Sequence, residues 1–466
     1  MIAIVVIAVV FPTASLAEDS PSTTAPAPEP PPEGTRTPET GSAAPTTESP
    51  PPSLPKSYRL QWDFSWAAGL NYEIRQPYEI PAPTESLQRL FGEEVALRGH
   101  IGGKLAVDAA AFASTAPVAG LDNGIEIRRL RLNTVGDATL LLGLPITYKI
   151  EFQYVQGATG GVNSSGKFEL GDCYLAYKDI PYLGTLYVGN LQTPVGLEGV
   201  GSSRDLTFME PAAVIDALTP GVRGGVMFEH PVFGERMTWS VGAFANTRDF
   251  DLDNLSNAAS VIGRVTWLPV YEGDGTRLVH VGLSAGYGFA GGETLRARSR
   301  PESHLAPFVV DTGTVDATRS GLLGLEAASV NGPLSFQGEL YHAFVGPPSG
   351  PMLGFTGGYV YGSWFVTGEN RPYDRKTGVF SRFKPSHDLS WRNGSLGSWE
   401  IALRYSYLDL NDGPVHGGRM NIVTAGVNWY WNPYMKMRFN YNYAAVNSPL
   451  TRSGIHIMQT RFELDF

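Results

Sequence analysis

The sequence predicts an all-β chain: a transmembrane antiparallel β-barrel of about 16 strands, preceded by a disordered Pro-rich tail. Three observations predict it. The 466 residues include 54 Gly, 9 Trp, 21 Tyr and 22 Phe, only 17% are charged, and the mean hydropathy is -0.10. Gly and aromatic residues are mediocre helix formers, so a helical reading is disfavoured. Hydrophobicity then alternates with a period of two from Tyr58 onward, and the last strand ends in a terminal aromatic, Phe466. A net charge of -10 argues against a nucleic-acid partner, which needs a basic surface. One cysteine, Cys173, excludes an intrachain disulfide framework and every Cys-based zinc site.

The N-terminus reads as an address. Ile2 to Phe11 is an apolar run half the length of a membrane-spanning helix, and Ser15 and Ala17 fit the small-x-small cleavage rule. Residues 1–17 are therefore expected to be a signal peptide, although no Lys or Arg precedes the run. Residues 18–57 are dominated by Pro, Thr, Ser and Ala and should form an extended linker in the periplasm. This stretch holds six acids and two bases, so it carries a disproportionate share of the negative charge.

Residues 58–466 are expected to form the barrel. Successive side chains of a strand face opposite sides, so Trp399, Ile401, Leu403, Tyr405 and Tyr407 oppose Glu400, Ala402, Arg404 and Ser406. Val279, Val281, Leu283, Ala285, Tyr287 and Phe289 oppose His280, Gly282, Ser284, Gly286 and Gly288. In the last strand Met458, Thr460, Phe462, Leu464 and Phe466 oppose Gln459, Arg461, Glu463 and Asp465. Small and polar residues opposite an aromatic-rich face suit a wet lumen better than a sandwich core, and closure satisfies the backbone in lipid. Roughly 410 residues at about 25 per strand, loops included, give about 16 strands, a size that leaves an aqueous channel.

Four clusters could select a solute. Arg296, Arg298 and Arg300 alternate along an extended stretch, about 7 Å apart, as either an anion relay or a solvated basic loop touching lipopolysaccharide. In the run Ile127 to Leu132 the apolar parity changes near Arg128 and Arg129, which predicts a bulge that leaves Arg129, Arg131 and Asn133 on the lumen face. Lys149 is on a lumen face with Glu151. Pro194 to Arg223, containing Ser203 and Arg204, interrupts the strand pattern and is long enough to fold inward. Gly286 to Gly291 matches a dinucleotide fingerprint, but it lies within a strand; Asp249, Asp251 and Asp253 lack the rest of a calcium loop. No cofactor or metal site and no catalytic residue is expected.

These residues carry a resemblance to the phosphate-selective porin O/P family of outer-membrane channels. Its pieces are Arg128-Arg129, Lys149, Val188-Gly189, Val195-Gly196-Leu197-Glu198 with Ser202-Ser203-Arg204, and the alternating arginines 296, 298 and 300. Thr367-Gly368-Glu369 with Arg371 and Tyr373, and Gly426-Val427-Asn428-Trp429-Tyr430, extend it toward the C-terminus. The resemblance implies a homotrimer of 16-stranded barrels in the outer membrane, its lumen narrowed by a loop, passing small anions such as phosphate or polyphosphate. It also implies Arg128 and Arg129 at the constriction, Ser203 and Arg204 on the narrowing loop, and an external ladder of Arg296, Arg298 and Arg300. Gly199 and Gly171 depart from the pattern, and Phe344 to Gly358 holds no Lys, so moderate anion preference is expected. A general porin, an envelope-anchoring barrel and a barrel hydrolase are the alternatives.

Overall fold

The computed structural model describes residues 59–65, 69–77, 94–139, 145–155, 167–245, 259–289 and 294–466. The expected signal peptide, the Pro-rich linker and the acidic loop around Asp251 lie outside these residues. The strands are β1 (Arg59–Ser65), β2 (Gly69–Pro77), β3 (Glu94–Ser114), β4 (Gly124–Thr139), β5 (Pro145–Val155) and β6 (Lys167–Ile180). Next come β7 (Gly184–Gln192), β8 (Val222–Val232), β9 (Met237–Ala245), β10 (Ala259–Glu272), β11 (Arg277–Phe289) and β12 (Arg319–Asn331). The last six are β13 (Leu334–Gly346), β14 (Leu353–Phe365), β15 (Ser398–Asp412), β16 (Val415–Tyr430), β17 (Met435–Asn447) and β18 (Arg452–Asp465).

Strands β3 to β18 form a closed antiparallel ring of 16, each paired to its neighbour, with β18 returning to β3. Closure depends on the length of β3. Its second half, Lys104 to Ser114, pairs with β18, while its first half, Glu94 to Ile101, pairs with β2. The β1–β2 hairpin is therefore an appendage of β3 and not part of the ring, although the alternation beginning at Leu60 reads like any other stave.

The period-two reading holds in the ring. Leu403, Tyr405, Val281, Leu283, Phe439, Tyr441 and Met458 are exposed, whereas Arg404, His280, Asn442 and Arg461 are buried inside. No helix among the described residues is long and apolar enough to span a membrane; the strands do the crossing. The expected bulge is present: Ala106 pairs with Arg129 and Val107 with Ile127, which leaves Arg128 as the extra residue. The seam closes on the terminal aromatic. Phe466 exchanges backbone hydrogen bonds with Gly103, and a β-carbon at Gly103 would fall 2.5 Å from the Phe466 ring. Replacing Gly103 by Leu should displace that ring and reduce the heat-resistant folded fraction on gels; an unaltered fraction would show that the ring has no part in closure.

The interior departs from the sequence reading in one respect. Sequence alternation suggests a uniformly polar inner face, yet near the long-loop end Leu408, Leu410, Met420, Ile422, Ile455 and Ile457 all point inward and are buried. They pack against Val309, Val310 and Val214, which belong to two segments folded into the lumen. One is 193–221, carrying α1 (Leu197–Val200) and α2 (Ala213–Leu218); the other is 294–318, joined by two short ladders, Thr294–Leu295 with Val315–Asp316 and Arg298–Ser299 with Val310–Asp311. A third inward segment, 366–397, enters from the opposite, short-turn end. Its Thr377 and Gly378 carbonyls accept from Arg264 of β10, and its Tyr373 hydroxyl meets His280 of β11 at 2.7 Å.

Candidate functional site

The first inward segment leaves the wall at Gly196, whose φ of 68° and ψ of 174° suit glycine alone. A β-carbon there would also sit 1.7 Å from the Tyr341 hydroxyl. The Glu198 amide then donates to Glu339 (2.8 Å), and the segment crosses to the wall of β15–β18 and β3.

That wall holds the segment largely by its carbonyl oxygens. Lys104 donates to Ser203, Lys436 and Arg438 to Arg204, Arg438 to Phe208 (2.9 Å), Arg461 to Met209, and Arg404 to Glu210 (3.1 and 3.2 Å). Asn428 adds a bond to Thr207 (2.8 Å), and the Arg404 guanidinium lies 4.4 Å from the centre of the Phe208 ring. Wall carboxylates balance these cations: Asp108 is gripped bidentately by Arg461 (2.6 and 2.7 Å), and Glu463 lies 3.0 Å from Lys104 and 2.9 Å from Lys436. These paired cations give each desolvated charge a partner, as burial requires.

Glu210 is the segment's own acidic anchor. Its carboxylate accepts two parallel bonds from Arg128 (2.7 and 2.8 Å) and a third contact from Arg461 (2.5 Å). Burial alone would push this carboxyl up, but Arg128 and Arg461 hold it well below the ordinary carboxylate range. Arg128, expected at the constriction, is bound to Glu210 of the inward segment 193–221.

The other sequence-singled residues separate into tied and untied groups. Lys149 is tied to Asp172 at 2.5 Å, and Arg204 to Asp465 (3.2 Å) and the Gly103 carbonyl (3.1 Å). Arg296 forks the Asp311 carboxylate (Nε 2.8 and 3.1 Å; Nη2 2.5 Å). Arg298 and Arg300 lie 4.0 and 3.9 Å from the centre of the Phe308 ring, and Arg300 donates to the Ala306 carbonyl. The three arginines thus belong to a segment folded back on itself, where the neighbouring Asp311 takes up the Arg296 charge. A ladder of three unpaired cations on one extended face is not what the chain forms. Replacing Arg296 by Gln together with Asp311 by Asn, which leaves the net charge unchanged, should leave ion selectivity within measurement error in a KCl gradient; a marked shift toward cations would reinstate Arg296 as a relay station.

Arg129, Arg131 and Ser203 form the untied group. Among the described residues Arg129 makes no ion pair, and its Nε has no hydrogen-bond partner. Arg131 touches Glu151 at 3.3 Å through one terminal nitrogen while its Nε has no partner, and the Ser203 hydroxyl has none either. Register brings them to one region. Lys104, which holds the Ser203 carbonyl, is the cross-strand partner of Arg131, and Ala106 is that of Arg129. Gly171 faces the same wall from β6, where a β-carbon would lie 2.7 Å from the Glu151 carboxylate. The Glu151 carboxylate from the neighbouring strand lies over the position that a side chain at 171 would occupy.

The stretch holding Met209 and Glu210 reads from sequence as able to fold inward, but nothing there marks Glu210 as its anchor, or Asp108, Glu302 and the segment 366–397 as parts of the interior. Glu302 lies at the tip of the second segment, 2.5 Å from Arg404, and accepts from Thr424 (2.9 Å). Each is a lone acid in a loop or strand, and its partner is about a hundred or more residues away for all but Glu210 and Arg128.

A closed 16-stranded barrel with a greasy exterior, a charged interior and inward segments that narrow the lumen defines an outer-membrane porin. The chain belongs to the family Phosphate-selective porin O and P, which matches residues 100–466. A relative from Caulobacter vibrioides, described as an uncharacterized protein, is 31% identical over 374 residues, covering 74% of this chain and 69% of that one. Among solved structures, the anion-selective porin from Comamonas acidovorans aligns with a TM-score of 0.49 at 12% identity, over 79% of this chain and 100% of that one. OprB of Pseudomonas putida aligns with a TM-score of 0.46 at 11% identity, over 79% and 94%.

Proposed function

We propose that this porin passes small anions, phosphate among them, through a lumen whose selecting station is Arg129, Arg131 and the Ser203 hydroxyl. The observation that carries the reading is that Arg129 makes no ion pair among the described residues, whereas Lys104, Lys149 and Arg461 of the same lumen are each held by a carboxylate. Guanidinium and hydroxyl donors suit phosphate oxygens, and a permanent charge beside the narrowing attracts anions without trapping them. Glu151 and Asp172 beside the same path temper the field, so the preference is moderate.

Short turns of such barrels face the periplasm and long loops the outside. Arg59 pairs with Arg75 toward the short-turn end, which supports a periplasmic place for residues 18–57 and removal of residues 1–17 as a signal peptide. The same reading makes the working unit a homotrimer in outer-membrane lipid and lipopolysaccharide, engaged in transport and not catalysis.

The test is planar-bilayer conductance with a KCl gradient across the membrane. An anion-preferring reversal potential and partial block by millimolar phosphate are expected. A cation-preferring potential would end the anion reading, and absence of block would end the phosphate assignment.

A further inference from the structure

At the long-loop end the lumen contains a second feature that a path for inorganic ions does not require. A cavity of about 370 Å³ lies between the inner wall of β10–β14, the end of α2 and the second inward segment. Ile262, Leu322, Val345 and Phe355 line it from the wall, Leu218 from the first segment and Leu295 from the second. Its space arises where β11 carries Gly286 and Gly288 on its inner face and the facing positions of β10 and β12 are Ser260 and Ser320. The apolar lining is not sealed: Arg223 of β8 and Arg296 of the second segment stand on its boundary, with Thr219, Thr294 and Thr312.

We infer that this cavity is a binding site for amphipathic organic anions, taking an aromatic or short aliphatic body against the apolar wall and the acid group at Arg223 and Arg296. The size fits one small organic molecule, and apolar walls with a few charged groups at the edge are how such ligands are oriented. Leaving an apolar cavity wet inside a channel forgoes the free energy of covering its walls, and an apolar body of matching size recovers it. Arg296 gives two nitrogens to Asp311, so it contributes its remaining outer edge beside Arg223. The inference rests on the anion-channel reading and deepens it: the solutes favoured at the mouth are esters or carboxylates with an apolar group, not the inorganic ion alone.

The experiment compares block of single-channel current by phenyl phosphate and by inorganic phosphate, each added to the long-loop side. Phenyl phosphate should reach half-block at a concentration at least tenfold lower, about 1.4 kcal/mol. Filling the cavity from the wall with Ser320→Trp, or from the inward segment with Ala297→Phe, should bring the two concentrations to within twofold while inorganic phosphate block stays as in the unaltered protein. Arg223→Gln should weaken phenyl phosphate block several-fold. Equal block by both anions in the unaltered protein would overturn the inference, as would a tenfold difference that survives in whichever filled variants fold and conduct. If the channel shows no anion preference yet phenyl phosphate still blocks tenfold better and filling abolishes it, the function proposed above fails and the cavity assignment stands.

Discussion

Replacing Glu210 by Gln is expected to raise single-channel conductance, add open-channel noise and strengthen anion preference, since the Arg128 charge is left uncompensated. The substitution removes one carboxylate from between two guanidiniums. Arg461 keeps Asp108, but Arg128 loses its ion-pair partner and one of its two bonds while its side chain remains largely buried. Removing one member of a buried ion pair costs about 3–5 kcal/mol, because a desolvated charge is left without a partner. The ring is held by its own ladder of backbone bonds, so the cost falls on docking of the inward segment. The carbonyl contacts from Arg404, Arg438 and Lys104 remain, so the segment should fluctuate and not be lost. Adding Arg128→Gln removes the stranded cation and should quieten the noise of the single variant. Conductance and noise identical to the unaltered channel would show that the carbonyl contacts suffice.

The same anchor fixes a pH dependence. The Glu210 carboxyl sits well below its ordinary value in the folded channel, since the two arginines outweigh its burial. A depressed carboxyl contributes stability that is fully present above the unfolded value and is lost only as pH falls through the folded one. The Glu210 contribution to docking should therefore persist from neutral pH down to about pH 4, where free carboxylates are already half protonated. An opening near pH 5 that disappears in the Glu210→Gln variant would contradict the pairing.

The outward faces were legible because lipid imposes one requirement at every level of the wall: Leu403, Tyr405, Tyr441 and Met458 could be placed from alternation alone. The bulge was legible too, since Ile127 and Leu130 break parity around Arg128. The inner face obeys no such single rule. Leu408 and Leu410 continue the lumen-facing parity of Arg404 and Ser406, yet they are apolar because the segment holding Val309 and Val310 packs on them. The β1–β2 hairpin alternates like a stave but pairs along the half of β3 that β18 leaves uncovered, a fact of chain length and register. In the candidate site the arginines themselves were visible, but the groups that occupy them were not. Many of those groups are backbone carbonyls of residues 203–210, which carry no signature in a sequence. Arg128 and Arg129 are adjacent and chemically identical, and only the bulge decides which of them fastens the segment and which faces the lumen.

That distinction yields the second large effect. The double variant Arg129→Gln, Arg131→Gln is expected to move the reversal potential in a tenfold KCl gradient to zero or beyond, toward cations, and to weaken phosphate block about tenfold or more. Even at water-like screening a unit charge a few ångströms from a permeating ion contributes about 1 kcal/mol, and two such charges together exceed the 1.4 kcal/mol that makes a factor of ten. With both gone, Glu151 loses its one cationic contact and joins the local field uncompensated. Stability should not suffer. Arg129 has no ion-pair partner among the described residues, so its charge is not compensated in the folded channel, and a neutral amide there relieves that cost. Thermal unfolding of the double variant should match or slightly exceed that of the unaltered protein. Lys149→Gln serves as the contrast: it also removes a lumen cation, but one tied to Asp172. Freeing that carboxylate should shift selectivity toward cations while leaving phosphate block within about threefold, because the donors that hold phosphate remain. Equal loss of phosphate block in the Lys149 and the Arg129, Arg131 variants would mean that net lumen charge, and not a defined station, governs the channel.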